Sequence, residues 1–276
     1  PQDPELVNLA ARLQSPSGAH LLGTDNLGRD ILSRILTGAQ VTVGLSLLAL
    51  SLSILIGVPL GLISGWVGGR FDWIVMRIVD VFIALPDYIV AIVLSGLLGP
   101  GFVNMLIAIL AVKWVGYTRL VRSLVLQEKT RDYLMISKLA GGSSWRILRQ
   151  HMIPHIVGPV LALATMDIGK VILLVASLSF IGMGVQPPSP EWGAMLNDGR
   201  AYFAQAAQLM IIPGIAIFIV VAAASWLGDQ LMKRYTISSE DETRARARAT
   251  RCCCPPESWD GSRSAKSCIF TWAMAA

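Results

Sequence analysis

Cysteine is missing from the first 251 residues of this chain; its four copies, Cys252, Cys253, Cys254 and Cys268, crowd the end. The body therefore offers neither a disulfide framework nor paired cysteines at zinc spacing. Charge is scarce as well, at 15% of residues, where a soluble domain carries about 25%. Histidine occurs only at His20, His151 and His155. His151 and His155 are four apart, but Pro154 between them breaks the helical face a metal pair needs, so no metal site is read. No Ser/His/Asp or Cys/His constellation suggests an enzyme. No Gly-Lys-Ser/Thr phosphate loop occurs, which excludes an ATPase in this chain.

What the chain has in quantity is apolar surface, 54% of its 276 residues, and 25 glycines. Glycine suits helices packed in lipid better than helices in water. A bilayer core needs roughly 20 apolar residues per helix. Val41 to Gly69 has no charged side chain and forms the clearest span, with Gly57, Pro59 and Gly61 positioned to bend or close-pack it. A second span is read from Trp73 to Leu97, carrying Arg77, Asp80 and Asp87. A turn at Leu98-Gly99-Pro100-Gly101 leads to a third, Phe102 to Val125, and the polar 127–155 segment is too charged to cross. A fourth runs from Ile156 to Met183 with Asp167 and Lys170 inside, and the fifth, Ala201 to Leu227, is charge-free. The fold class expected is an all-α, polytopic transmembrane bundle. Residues 1–38 precede it, 39–235 form it, and 236–276, which lack apolar periodicity, read as a disordered tail.

The net charge of +5 sits in short segments between apolar runs, which argues against nucleic acid and for a membrane orientation. Lys129, Arg131, Lys138, Arg146 and Arg149 lie between the third and fourth spans, and Lys233 and Arg234 follow the last. The 127–155 loop and the C-terminus are therefore expected in the cytoplasm and the N-terminal segment outside. An exported start needs a preceding span, so a further helix is expected upstream of Pro1.

Ionisable groups in hydrocarbon cost at least ~2.5 kcal/mol each at the bilayer centre and usually face a bundle interior or an aqueous path. Arg77 with Asp80, and Asp167 with Lys170, are three apart and share helix faces. Self-neutralising pairs that lock packing are the plain reading; a role in a solute path is the other. Asp87, after Pro86, has no neighbouring partner in sequence and is the candidate for meeting a cationic end of a solute. Lys113 reads as a partner for a carboxylate.

The stretch His20-Leu21-Leu22-Gly23-Thr24-Asp25-Asn26-Leu27-Gly28-Arg29-Asp30-Ile31-Leu32-Ser33-Arg34 resembles the periplasmic segment of the second permease subunit in dipeptide, oligopeptide and nickel ABC importers. Arg77-Ile78-Val79-Asp80, Ser179-Phe180-Ile181-Gly182-Met183-Gly184 and Glu191-Trp192-Gly193 continue the resemblance, in order, over residues 1 to 235. It implies the type I ABC importer permease fold in the bacterial inner membrane. It also implies a second, related permease, two ATPase subunits carrying ATP and Mg, and a periplasmic solute-binding protein. Lipid surrounds the subunit, and no cofactor belongs to this chain. Peptide is the expected cargo, nickel or a metal chelate the alternative. An ion-coupled secondary transporter relaying through Asp87, Asp167 or Lys170 is the competitor from another class. The motif residues Gly23, Thr24, Asp25, Gly28, Arg29 and Asp30 lack the phosphate-loop pattern. They read as a cap over the pore mouth or under the binding protein, or as a dock for the partner permease.

The family's ATPase-coupling loop carries Glu-Ala-Ala, then Gly, then a hydrophobic-Pro end. Here Arg131, Asp132, Tyr133, Met135, Ser137, Lys138, Gly141, His151 and Pro154 occupy that region; Gly141 and Pro154 fall in place, while Met135-Ile136-Ser137 replaces Glu-Ala-Ala. Apolar Leu134, Ile136, Leu139 and Ala140 among charged residues can lay a short helix into a partner's groove, with Gly141 ending it. Replacing Gly141 with Trp is expected to abolish transport while leaving membrane insertion intact. Normal uptake with normal ATPase co-purification would count against the docking role.

Overall fold

The computed structural model describes residues 3–130 and 148–252, with side chains to Met232 except those of Gln150 and His151. Residues 1–229 form one compact unit, and 230–276 a second. An N-terminal segment with a short 3₁₀ turn at Leu9–Ala11 leads to α1 (Ile31–Val67), α2 (Gly69–Ile83), α3 (Asp87–Leu98) and α4 (Phe102–Lys129). A π-helical turn, Leu148–Met152, opens α5 (Ile153–Phe180), followed by α6 (Trp192–Arg200) and α7 (Gln208–Cys252).

Among the described residues four helices are long and apolar enough to cross a membrane: α1, α4, α5 and the Gln208–Met232 part of α7. The second expected span is not one helix. It is α2 and α3, bent by 93° at Ala84-Leu85-Pro86, and makes a fifth span only if the pair is counted together. The cause is local. Pro86 has no N–H to donate and its ring excludes a helical neighbour before it. The chain closes α2 with Ala84 N–H to Asp80 O and restarts with Ile89 N–H to Pro86 O. α1 starts at Ile31 with Asp30 as its cap, so its first turns fall within the segment 1–38. The expected tail from 236 is helical as far as Cys252. Its run of Ala and Arg has high intrinsic helix propensity, which needs no apolar period.

α1 is built inside out relative to a soluble helix. Its large side chains Leu47, Leu48, Leu55, Ile56, Ile63 and Val67 are exposed. Its small and polar ones, Thr42, Ser46, Ser53, Gly57, Gly61, Ser64 and Gly65, are buried. Lipid is as apolar as leucine, so burying leucine gains little there, whereas small residues let backbones approach. The buried hydroxyls of Ser46 and Ser53 donate to the carbonyls of Thr42 and Ala49, both at 2.7 Å, which leaves no donor stranded.

Gly57, Gly61 and Gly65 form the seam with α4. A Cβ on Gly57 would lie 2.6 Å from the Trp114 carbonyl, one on Gly61 2.6 Å from that of Thr118, and one on Gly65 2.8 Å from Val125. Thr118 Oγ1 donates across the seam to Gly57 O at 3.2 Å. Around it, Leu45, Ala49, Met105, Ile109, Val121, Val171, Leu174 and Leu178 make the main core.

Gly61→Val is expected to destabilise the purified protein by about 1–3 kcal/mol or more, because backbone rather than a flexible side chain meets the new atoms. Gly44→Ala, with nothing within 4 Å of the new carbon, is the neutral control. Thermal unfolding in detergent reads both.

Candidate functional site

The N-terminal motif folds into a buried polar hub. Asp25 Oδ1 accepts from the N–H groups of Leu27 and Arg29, each at 2.9 Å, and Oδ2 from Arg29 Nε at 2.6 Å. Arg34 Nε, from the first turn of α1, stands 3.6 Å from the same carboxylate. Gly28 closes the turn at φ +75°, and a Cβ there would lie 1.8 Å from Asn8 O, so only glycine fits both the conformation and the space. Thr24 accepts from Gln14 N–H and donates to Ala11 O. The motif thus straps the N-terminal segment onto the start of α1. Every polar arm of Asp25 and Arg29 described here is turned inward, which suits a structural role for this cluster.

Asp30 caps α1. Its Oδ2 accepts from Ser33 N–H and Oγ, at 2.9 and 2.7 Å, and Oδ1 faces His20 Nδ1 at 3.1 Å. Burial alone raises the Asp30 carboxyl, but the Ser33 and His20 contacts together hold it below its ordinary value. Asp198 on α6 moves the other way: burial raises it, against the pull of Arg29 and Arg34. It borders a cavity of about 20 Å³ with Asp25, Arg34, Met195 and Leu209, room for about one water molecule.

The Glu191-Trp192-Gly193 motif lies between the fourth and fifth spans expected from sequence, and it starts α6. Glu191 is fully buried. Its Oε2 accepts from Ala194 N–H at 2.9 Å and Oε1 from Thr42 Oγ1 at 3.1 Å. Trp192 Nε1 donates to Ile35 O at 3.0 Å. A Cβ on Gly193 would meet Ala176 O at 2.3 Å. The motif therefore locks α6 against α1 and α5. A nine-residue helix has too little propensity of its own to be seen without these contacts.

Two groups of ionisable residues link the helices to one another. Asp87, at the start of α3, accepts from Lys113 Nζ of α4 at 3.0 Å. One turn along α4, Tyr117 Oη donates to Asp167 Oδ2 of α5 at 3.2 Å, and Lys170 Nζ donates to Asp167 Oδ1 at 3.1 Å. Asp87, Lys113, Tyr117, Asp167 and Lys170 thus make a ladder across three helices. Its inner members are covered and its ends open: Asp87 is 51% and Lys170 61% exposed. Sequence reasoning paired Asp167 with Lys170 and gave Lys113 a carboxylate. It left Asp87 alone, because the partner lies 26 residues away. It also paired Arg77 with Asp80, and among the described residues that ion pair does not form. Arg77 instead lies over the Trp73 ring, 5.2 Å from its centroid, where an indole face attracts a cation in surroundings that offer little water.

The second group was missed. Asp72 of α2 is gripped by Arg122 of α4 through Nε and Nη2, the latter at 2.6 Å. Fifty residues separate the pair, so no local pattern reveals it. Of the coupling-loop candidates, Arg131, Asp132, Tyr133, Met135, Ser137, Lys138 and Gly141 lie outside the described residues, as does the His151 side chain. Pro154 is exposed in the first turn of α5. Among the described residues no three His, Cys, Asp or Glu side chains gather as metal ligands.

Long apolar helices with small residues inward and charges held between them describe a polytopic membrane protein. The profile described as "Binding-protein-dependent transport system inner membrane component" matches residues 57–237. The chain belongs to this family, the multi-pass inner-membrane permeases of ABC importers. It is 41% identical over 231 residues to the nickel transport system permease protein NikC of Escherichia coli K12, covering 84% of this chain and 83% of that one. It is 38% identical to the probable D,D-dipeptide transport system permease protein DdpC of the same strain, over 82% and 76% of the two chains. It is 39% identical to the di/tripeptide transport system permease protein DppC of Pseudomonas aeruginosa UCBPP-PA14, over 79% and 72%. In fold it is similar to the inward-facing MetNI methionine ABC transporter, with TM-score 0.56 at 15% identity over 74% of this chain and 97% of that one. An amino acid ABC transporter crystallised with histidines gives TM-score 0.58 at 15% identity, over 74% and 94%.

Because the folded Asp30 carboxyl lies below its unfolded value near 3.8, its stabilisation is present above that value and is lost as pH falls through the folded one. Melting temperature is expected to fall, as pH drops below about 4, more steeply for the native chain than for Asp30→Asn, which keeps a capping oxygen but cannot titrate.

Proposed function

We propose that this permease carries a small peptide, and that the Asp87–Lys113–Tyr117–Asp167–Lys170 ladder lines its path. Charges half exposed on membrane-crossing helices are too costly to face lipid, so the open ends of the ladder belong against a partner permease or in an aqueous passage. The single observation that carries the substrate class is their sign. Asp87 offers a carboxylate at one end and Lys170 an ammonium at the other, matching the two termini of a peptide zwitterion. Two of the three relatives described above are peptide permeases by name. The nickel relative keeps a second reading open. Against it, an ammonium stands within 3.1 Å of each ladder carboxylate and repels a bare divalent cation.

In this reading the N-terminal motif and α6 form the periplasmic end, and 127–155 the cytoplasmic coupling loop, with the C-terminus on the same side. A second, related permease completes the passage. Two ATPases grip the loop, and a binding protein delivers the solute. The chain supplies no chemistry of its own. Its helices hold the path, and ATP hydrolysed on partner subunits moves them.

Cells expressing the complete importer are expected to accumulate radiolabelled dialanine. Asp87→Asn and Lys170→Met should each lower that uptake about tenfold, the loss of roughly 1.4 kcal/mol of path stabilisation. Accumulation of ⁶³Ni with no dipeptide uptake would replace the peptide by the metal.

A further inference from the structure

One cluster is not used by the path. It lies where α1 turns into α2, beside the last turns of α4. Gly68 and Gly69, at φ +69° and +63°, make that corner, a conformation that favours glycine. Three α4 contacts hold it. Arg122 forks onto the Asp72 carboxylate, which also accepts from Ser64 Oγ. Lys129 Nζ donates to the carbonyls of Gly65 and Trp66, at 3.0 and 2.6 Å. The same ammonium lies 5.5 Å from the centre of the Trp66 ring. Those two carbonyls belong to the last turn of α1, where helix carbonyls lack helical donors and the helix end is negative. Arg122 and Lys129 are seven residues apart, two turns along one face.

Position gives the cluster its meaning. Lys129 is the last residue of α4, immediately before the segment read as the coupling loop. Asp72 stands in the first turn of α2, at the end of that helix farther from Pro86. At the bend's other side Asp87 is tied to Lys113, again on α4. So α4 holds the bent α2–α3 pair on both sides of its 93° hinge, and the hold nearer the loop is a two-pronged ion pair. Such a pair fixes orientation as well as distance. The exposure of its members, 28% for Arg122 and 16% for Asp72, leaves them partly desolvated, where the fork resists screening.

We propose that Arg122, Asp72 and Lys129 are positioning residues that carry movement of the coupling loop into the α2–α3 hinge. The inference rests on the 127–155 segment being that loop. When the loop shifts, the end of α4 takes the α1–α2 corner with it, and α3 swings about Ala84-Leu85-Pro86. A cluster with only a static role would leave the swing unchanged in any single variant that still assembles with its ATPases.

The test uses the complete importer in nanodiscs, with nitroxide labels on exposed Val93 of α3 and Leu173 of α5 and the tail cysteines changed to serine. Distances are measured by pulsed electron resonance without nucleotide and with ATP and vanadate. In the native background the distance distribution is expected to shift. In Asp72→Asn and Arg122→Gln the shift should disappear while the ATPases stay bound and hydrolyse ATP. The reversed pair, Asp72→Arg with Arg122→Asp, should restore it. Lys129→Met leaves the fork intact and is expected to reduce the shift; it serves as the readout should an Asp72 variant fail to assemble. No shift in the native background, the same shift in the single variants, or no recovery in an assembled reversed pair overturns the proposal. ATPases that co-purify normally with Gly141→Trp and drive normal uptake there would instead remove the coupling-loop reading beneath it.

Discussion

The close approach of α1 and α4 is the constraint on which the rest of the structure hangs. In lipid no hydrophobic force draws two helices together, so contact depends on how near their backbones come. Gly57, Gly61 and Gly65 turn one face of α1 into a groove with no room for a further carbon. The groove also sets where α4 side chains stand. The Cβ of Tyr117 lies against Gly57, and that placement lets its hydroxyl reach Asp167 on α5. Lower on the seam the same contact brings Arg122 and Lys129 to the α1–α2 corner.

Charge is handled differently at the two ends of the bundle and between them. In the N-terminal hub Asp25, Arg29, Asp30 and Arg34 are buried; the carboxylates accept from backbone N–H groups, Ser33, His20 and Arg29, and Arg34 donates to the Pro4 carbonyl. Breaking one such group strands its partners in a dry site. The ladder between α3, α4 and α5 is paired but open at its ends. Exposed carboxylate and ammonium groups on apolar helices tolerate no lipid, and this separates them from Leu55 or Phe218, equally exposed and content in hydrocarbon.

The bent α2–α3 pair joins these themes. Pro86 breaks the helix, and α4 holds the start of α2 through Asp72 and the start of α3 through Asp87, each by an ion pair. The bend thus joins two helical halves that are each tied to the same neighbour. The proposed transmission from the loop to α3 depends on that arrangement, because a domain motion needs stiff elements meeting at a local break.

Much of this was legible in the residues. The charge-free run from Val41 and the apolar runs after Phe102, Ile156 and Ala201 gave four crossing helices, because span length and hydropathy are local properties set by the bilayer. The motif around Asp25 and Asp30, the Asp167–Lys170 pair and the need of Lys113 for a carboxylate were also readable. Only the tertiary structure decided the rest. It chose Asp87 for Lys113, Asp72 for Arg122, Thr42 for Glu191, and Trp73 rather than Asp80 for Arg77. It also made α6 a helix and bent the second span at Pro86. Sequence spacing reports neighbours within a helical turn, while a charge inside the fold is met by whatever packing brings within hydrogen-bonding distance, and for Arg122 and Glu191 that partner is 50 and 149 residues away.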